Sequence, residues 1–359
     1  MPETSPTVSI IIKALNEERH IAGAIESALA ALAEIGGEVI LADSGSSDRT
    51  IEIARRYPIK IVQLTNREER SCGIGAQLGF QYSRGRFLCL IDGDMRLHGD
   101  FLPAALALLN ENATLAGVGG LVVEREIANM EFEQRNKRRD PDRRAGPVTR
   151  LNGCGVYRRS AIESIGHLTD RNLHGAEELD LSARLHARGW TLARLDRPAV
   201  DHYGHTSNAY LLLLRRIVTR NSFATGELVR AAIGQPHFWF AVRNDNGCRL
   251  FLLVAAWWAA IVAVPFVWSG RAALLAIATV VLLPIAAMLL RWRSVRLGLY
   301  SVAAWNVYAL SFLPGFLRSR VLPTGWIESH VLADVAPAEQ YRRREPPGRI
   351  ANLRPARLE

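Results

Sequence analysis

The stretch FLCLIDGDMRLHG, from Phe87 to Gly99, places two carboxylates directly after an apolar run. The apolar run predicts a buried strand, and Asp92 and Asp94 follow it with only Gly93 between them. Residues i and i+2 at a strand end point the same way, so both carboxylates face one ligand. Two like charges this close repel unless a proton or a cation neutralises them. A divalent metal such as Mg²⁺ or Mn²⁺ meets this need and also holds a diphosphate; alternatively, Asp94 caps a turn while Asp92 is solvated.

Short apolar runs alternate with helix-like segments through the first part of the chain. VSIII, GEVILAD, IKIVQL and FLCLID predict strands, with helical segments between them. This alternation predicts an α/β fold with a mostly parallel sheet covered by helices on both faces. Ligands of such sheets bind beyond the carboxyl ends of the strands. Asn16, Asp43, Asp92 and Asp94 all lie at predicted strand ends, which is the first sign of a functional site.

Composition narrows the class of protein. The 359 residues exceed one ordinary domain, and the net charge of +9 suits nucleic acid, an anionic membrane or a phosphorylated substrate. No basic surface with interleaved aromatic residues is evident, so we expect no nucleic-acid partner. The 4 cysteines form no C-x-x-C pair, which favours a reduced, cytosolic setting. The first residues lack a basic segment before an apolar one, so we expect no signal peptide and a cytosolic first domain.

Two later segments predict transmembrane helices. Residues 250–270 and 272–290 contain no charged residue, and a helix of roughly 20 residues spans about 30 Å of hydrocarbon. A third uncharged segment, 297–317, contains Asn306 and Pro314; it could span, re-enter or lie in the interface.

Loop charge orients these segments. The first turn holds only Arg271, whereas the next, RWRSVR, holds 3 arginines, so the positive-inside rule puts RWRSVR and the N-terminal domain in the cytosol. From Arg318 onward 8 arginines face 5 acids, and a third crossing would place this basic tail outside. We therefore predict a multi-pass protein of the cell (inner) membrane with a cytosolic N-terminal domain.

Over about residues 8–230 the sequence resembles the family 2 glycosyltransferases. VSIIIKALNEE is similar to the family's first strand and Asn-Glu turn, VILADSGSSDRTIEIA to its second strand and helix start, and GRFLCLIDGDM to its strand ending in Asp-x-Asp. LNGCGVYRRSAIESIG and EELDLSARLHARGW are similar to its acceptor-side half. The resemblance implies a GT-A type fold and a metal-dependent, inverting transfer of sugar from a UDP- or GDP-linked donor.

The resemblance also implies roles for residues of the donor half. Asp43 would meet the nucleobase, with Ala14 and Glu17 lining the nucleotide pocket. Asp92 would contact the ribose or the metal, and Asp94 would ligate the metal that bridges the diphosphate.

The resemblance also implies roles for one histidine and for an arginine. His202, in DHYGHTS, corresponds to a histidine that some members place near the metal or diphosphate; a hydrogen-bonded loop histidine is the alternative. Many relatives carry a basic residue in the helix before Asp-x-Asp, where this chain reads GIGAQLGF. Arg67 or Arg70 would then supply that phosphate contact.

The acceptor half supplies the expected base. In the family a Glu-Asp pair begins a helix and its second residue deprotonates the acceptor; here the pair is Glu177-Glu178, so Glu178 would be the general base. The alternative is that Glu177, Glu178 and Asp180 only favour a helix N-terminus. The Gln-x-x-Arg-Trp pattern of processive synthases is absent, and RRIVTRNSF stands in its place, so we expect transfer of a single sugar.

These inferences give a predicted domain plan. A glycosyltransferase domain covers 1–235, with a nucleotide-sugar half at about 8–125 and an acceptor half at about 150–210; a membrane region covers 236–320 and a basic tail 321–359. The arginine-rich segment between the halves, 124–150, is either a surface loop or a loop that closes over a phosphorylated substrate.

Membrane spans beside the transferase domain favour a lipid-linked acceptor in cell-surface polysaccharide or glycolipid synthesis. A nucleotidyltransferase is one alternative, but it would need a Gly-rich basic loop after the first strand, where KALNEERH stands. The other alternative is a catalytically degenerate membrane scaffold. The presence of all the carboxylates named above argues against it.

Overall fold

A computed structural model describes residues 7–126, 130, 144–204 and 208–335 of the chain. Most of the arginine-rich segment between the two predicted halves, and the end of the basic tail, lie outside these described residues.

The strands and helices alternate along the first two thirds of the described chain. The strands are β1 (Val8–Ala14), β2 (Gly37–Asp43), β3 (Lys60–Leu64), β4 (Phe87–Asp92), β5 (Met95–Leu97), β6 (Leu115–Glu124), β7 (Gly146–Val148), β8 (Gly155–Arg158), β9 (Thr191–His202) and β10 (Ser329–Ala333). The helices are α1 (Ile21–Leu32), α2 (Thr50–Ala54), α3 (Cys72–Tyr82), α4 (Phe101–Glu111), α5 (Arg159–Ser164), α6 (Glu177–Ala187), α7 (Ala209–Val218), α8 (Ala224–Ala232), α9 (Phe238–Asn244), α10 (Asn246–Val267), α11 (Gly270–Trp292) and α12 (Val295–Leu317).

The described strands form one mixed sheet in the order β10-β3-β2-β1-β4-β8-β6-β9-β5, with β7 paired to β9. The strands β3, β2, β1 and β4 run parallel, whereas β8 pairs antiparallel with both β4 and β6. This arrangement confirms the predicted α/β class with a mixed, mostly parallel sheet.

Strand β1 is buried on both faces, which explains its unbroken apolar run. Ile10 and Ile12 pack into one core with α1 and α4, while Ile11 packs into a second core with α3, α5 and α6. Successive side chains of a strand point to opposite faces, so a strand between two helical layers needs apolar residues at every position.

Two C-terminal helices, α10 and α11, are long and apolar enough to cross a membrane, with mean hydropathies of 2.4 and 2.7 over their best windows. The first helix ends at Val267, three residues before the predicted end, because Trp268 has an extended backbone (φ −124°, ψ 149°). The turn between the two helices therefore lies at Trp268 and Ser269 rather than at Gly270 and Arg271.

The third uncharged segment, residues 297–317, is also helical, but it packs against the rest of the protein. One face of α12 is buried, and Gly315 of α12 packs directly on the backbone of Phe223. After α12 the chain returns to the sheet, where β10 pairs antiparallel with β3. The sheet of the N-terminal domain thus includes residues that the sequence assigned to the tail.

Candidate active site

The carboxyl ends of β1, β2 and β4 meet at one edge of the sheet, as the sequence predicts. In the parallel register Ala14 of β1 lies opposite Asp43 of β2, and Lys13 lies opposite Asp92 of β4. The Ala14 carbonyl also accepts a hydrogen bond from the Ser44 N–H (2.9 Å), which joins the two strand ends.

The turn after β1 is hydrogen-bonded to the turn after β2. Asn16 has a left-handed backbone (φ 59°), and its side-chain oxygen accepts from the Ser47 N–H (2.8 Å). The Glu17 N–H donates to the Thr50 hydroxyl (2.8 Å). These bonds explain why an Asn-Glu turn and a Gly-Ser-x-Asp-x-Thr turn occur together, since each fixes the other.

Asp43 is fully buried and shapes the turn that follows it. Its carboxylate accepts from the backbone N–H groups of Gly45 and Ser46 (2.8 Å each) and from the Gln63 side-chain amide (2.9 Å). Arg70 lies at the same turn, where its Nε donates to the Ser44 carbonyl (2.7 Å). Burial together with the neighbouring Arg67 holds the pKa of Arg70 below its ordinary value, although Asp43 opposes this.

Asp92 and Asp94 take different partners across Gly93. Asp92 forms an ion pair with Lys13 (2.8 Å), whereas Asp94 lies 3.4 Å from Nε2 of His202. A Cβ atom on Gly93 would lie 2.8 Å from Cγ of Glu17, so this glycine allows the Asn-Glu turn to pack against the Asp-Gly-Asp turn.

Strand β9 places His202 next to Asp94. His202 ends the strand, and its Nδ1 lies 2.5 Å from a carboxylate oxygen of Glu124, the last residue of β6. Burial lowers the pKa of His202, but the hydrogen bonds to Asp94 and Glu124 raise it to about 10. His202 is therefore held by Glu124 with its Nε2 directed at Asp94, an arrangement that orients metal-ligating histidines in other proteins.

The side chains that could ligate a metal here suit a divalent cation that also binds a diphosphate. In the described residues no three His, Cys, Asp or Glu side chains converge on a single metal position. Asp94 and His202 converge, however, and the buried Oδ1 of Asp94 has no hydrogen-bond partner among the described residues. Burial and the charges of Asp94 and Asp92 raise the pKa of Glu17 to about 8, which marks an excess of negative charge. Because Mg²⁺ commonly binds one or two carboxylates plus substrate phosphates, these residues fit the expected metal.

The Glu177-Glu178 pair begins α6 and lines a cavity together with Lys13 and Tyr157. Glu178 accepts a hydrogen bond from the Gly153 backbone N–H (2.9 Å). Burial, opposed by Lys13, raises the pKa of Glu177 to about 7 and raises that of Glu178 above its ordinary value.

Sequence reasoning missed Lys13, which joins the two halves of the site. Burial lowers its pKa, but Asp92, Glu177 and Glu178 together raise it above the ordinary value, so Lys13 stays charged. The available signal was a lysine directly after the apolar run III of the strand VSIIIKA. Glu124 and Gly153 were also missed, because their roles depend on contacts distant in sequence.

The profile of the family described as Glycosyl transferase family 2 matches residues 9–166, the part that carries Lys13, Asp43, Asp92 and Asp94. Residues 9–166 form a family 2 glycosyltransferase domain. The result confirms the family that the sequence motifs indicated.

Curated relatives include a beta-monoglucosyldiacylglycerol synthase from Trichormus variabilis, 29% identical over 227 residues that cover 58% of this chain and 47% of that protein. The succinoglycan biosynthesis protein ExoA of Rhizobium meliloti is 26% identical over 216 residues, which cover 56% of this chain and 64% of that protein. The chain thus spans about half the length of the first of these relatives.

Among solved structures, a mannosyltransferase from Pyrobaculum calidifontis, in complex with GDP-Man and Mn²⁺, superposes with a TM-score of 0.54. It is 20% identical in sequence, and the match covers 86% of this chain and 88% of that one. The shared architecture confirms the predicted GT-A type fold.

Proposed function

We propose that the protein is a membrane-anchored, inverting glycosyltransferase that moves one sugar from a UDP- or GDP-linked donor to a lipid-linked acceptor. The observation that carries this proposal is the arrangement around Lys13, which pairs with Asp92 (2.8 Å) and shares a cavity with Glu177 and Glu178. Lys13 thereby links the donor-side carboxylate of Asp92 to the cavity that the acceptor-side carboxylates line.

The donor would lie at the carboxyl edge of the sheet. Asp43 and its turn, with Ala14 and Glu17, would bind the nucleoside, and Arg70 would contact the phosphate. Asp94 and His202, together with Asp92, would hold Mg²⁺ or Mn²⁺, which when bound offsets charge on the departing nucleoside diphosphate. Oδ1 of Asp94, which has no hydrogen-bond partner among the described residues, supports this assignment, and the Pyrobaculum neighbour was solved in complex with GDP-Man and Mn²⁺.

Glu178 would take the proton from the acceptor oxygen as that oxygen attacks the anomeric carbon. Attack opposite the leaving diphosphate inverts the anomeric centre. The Gly153 N–H fixes one oxygen of Glu178, and burial raises its pKa toward the range where a base is effective near neutral pH. Glu177 would stand beside it as the second carboxylate of the pair.

The membrane assignment rests on several features of the C-terminal part. Helices α10 and α11 would cross the bilayer, and α7 exposes Leu211, Leu214 and Val218 next to its arginines, which suits the anionic leaflet surface. Since β10 pairs with β3, the chain before α10 and after α12 lies on one side, which requires an even number of crossings. We therefore assign two crossings of the inner membrane, and α12 would lie against the domain without crossing. The arginines of RWRSVR place the catalytic domain on the cytosolic side.

This location and the names of the relatives support a lipid-linked acceptor. A catalytic domain held at the leaflet reaches acceptors whose headgroups lie there. The Trichormus relative is a synthase of a glucosyldiacylglycerol by name, and the Rhizobium relative takes part in succinoglycan biosynthesis.

The test is to incubate the full-length protein in lipid nanodiscs with a panel of UDP- and GDP-sugars, Mn²⁺ and extracted membrane lipids. We expect one donor to release its nucleoside diphosphate and one lipid fraction to gain a single sugar. Release of sugar 1-phosphate instead would indicate transfer of the nucleotidyl group, and no turnover of any donor would indicate a scaffold.

A further inference from the structure

A buried charged cluster joins the loop before the base to the residue that follows the C-terminal helices. His174 lies in the loop that leads into α6, Glu227 lies in α8, and Arg318 directly follows α12. The side chains of His174 and Glu227 are each only 3% exposed. The family match ends at residue 166, so all three lie beyond it.

His174 is held through both its backbone and its ring. Its backbone N–H donates to Oε2 of Glu227 (2.8 Å), and its ring Nδ1 lies 2.9 Å from Oε1 of the same carboxylate. Its carbonyl accepts from the side-chain amide of Asn221 (2.7 Å) and from the thiol of Cys72 (3.0 Å). The loop is therefore fixed at this position from α3, α8 and the segment before α8.

Arg318 completes the cluster from the C-terminal side. Its Nη1 donates to Oε1 of Glu227 (3.1 Å) and to the carbonyl of Asn172 (3.2 Å). Two residues on, Arg320 pairs with Asp170 (2.5 Å). Removing one partner of a buried ion pair leaves the other charge uncompensated, so this cluster holds the loop firmly only while it is complete.

The loop needs such support because its last residue is strained. Ala176 adopts a left-handed backbone (φ 59°), which costs free energy for a residue with a side chain and persists only when the surroundings hold it. Glu177 and Glu178 follow at once, so the direction in which α6 presents both carboxylates depends on this loop.

We propose that Arg318 is a positioning residue for the general base, acting through Glu227 and His174 on the loop that carries Glu178. This inference rests on the proposed function, because it takes Glu178 as the base. The residue after α12 thus forms a working part of the acceptor half, although some 140 residues separate it from Glu178 in sequence.

The test compares Arg318→Met with Arg318→Lys and with Arg55→Met in the full-length protein. Arg55 is an exposed arginine at the end of α2, outside the cluster, so its variant is the matched control. We expect Arg318→Met to lower kcat at least about tenfold with the donor KM unchanged, Arg318→Lys to recover part of the loss, and Arg55→Met to behave as wild type. Hydrogen exchange at residues 170–178 should speed up in Arg318→Met, with exchange in β1 and β4 unchanged.

A double-mutant cycle with Glu227→Gln separates positioning from general damage. If Arg318 acts through Glu227, adding Arg318→Met to Glu227→Gln should lower kcat less than it does in the wild type. Full additivity, or faster loop exchange with unchanged kcat, would overturn the proposal. If the wild type transfers no sugar while the loop still loosens in Arg318→Met, the proposed function fails and the inference fails with it.

Discussion

Glu178 is the residue on which the proposed chemistry depends most. Replacing it with glutamine keeps its size and the hydrogen bond from Gly153 but removes the basic oxygen. We expect Glu178→Gln to lower kcat by at least about 10²-fold, the usual effect of losing a general base, with donor KM little changed. Steady-state kinetics would measure this, with the exposed Glu163→Gln as control. An active Glu178→Gln beside an inactive Glu177→Gln would instead identify Glu177 as the base.

Lys13 sets the pH at which that base works. Burial raises the pKa of Glu178 while the charge of Lys13 lowers it, so the rate should fall on the acid side at a pH above the ordinary glutamate value of 4.5. Removing the positive charge lets the pKa rise further. We expect Lys13→Met to move the acid limb of the kcat profile to higher pH, and Lys60→Met, which removes the ion pair with Asp334, to leave it in place. A limb that stays in place in Lys13→Met would contradict the coupling.

The sequence allowed some of these residues to be predicted but not others. Asp43, Asp92 and the glutamate pair stand at strand or helix ends with recognisable neighbours, so local patterns were enough to select them as candidates, and their roles stay predictions. Lys13 shows no local pattern beyond one charge in an apolar strand, and its partners lie about 80 and 165 residues away. Only the assembled sheet brings those carboxylates to it.

At the level of elements, α8 and α12 pack closely against each other at Gly226. A Cβ atom on Gly226 of α8 would lie 2.1 Å from the Phe312 carbonyl oxygen of α12. We expect Gly226→Ala to force the helices apart and cost about 1–3 kcal/mol, as overpacking usually does. The melting temperature should fall, whereas Gly99→Ala, where no atom lies within 4 Å, should leave it nearly unchanged. Equal melting temperatures for the two variants would show that the contact yields easily.

The elements that the sequence predicted well are those with strong periodicity. The buried strands β1, β2 and β4 and the apolar helices α10 and α11 all appear near their predicted positions. Strand β10 was missed, because SHVLA is short and its place in the sheet is decided by the exposed edge of β3. The end of α10 was predicted three residues too late, because Val267 and Trp268 are both apolar and hydropathy does not separate them. The extended backbone of Trp268 ends the helix.

At the level of the whole molecule, the proposed topology puts the turn at Ser269 outside and the catalytic domain inside. We expect a cysteine at Ser269 to react with an impermeant thiol reagent in intact cells. A cysteine at Glu52, whose side chain is 58% exposed on α2, should react only after permeabilisation. The native Cys89 and Cys154 are buried and should stay unlabelled in both cases. Labelling of the Glu52 variant in intact cells would reverse the topology and remove the cytosolic supply of nucleotide sugar from the account.

The central claim is that Asp94, with a divalent cation, activates a nucleoside-diphosphate leaving group at the edge of this sheet. The most direct measurement is the rate of nucleoside-diphosphate release from the preferred donor by the wild type and by Asp94→Asn, each titrated with Mn²⁺. We predict release by the wild type that requires Mn²⁺ and is abolished by EDTA, and a loss of at least about 10²-fold in Asp94→Asn while its melting temperature stays near that of the wild type. Full release by Asp94→Asn, or by the wild type in EDTA, would contradict the account.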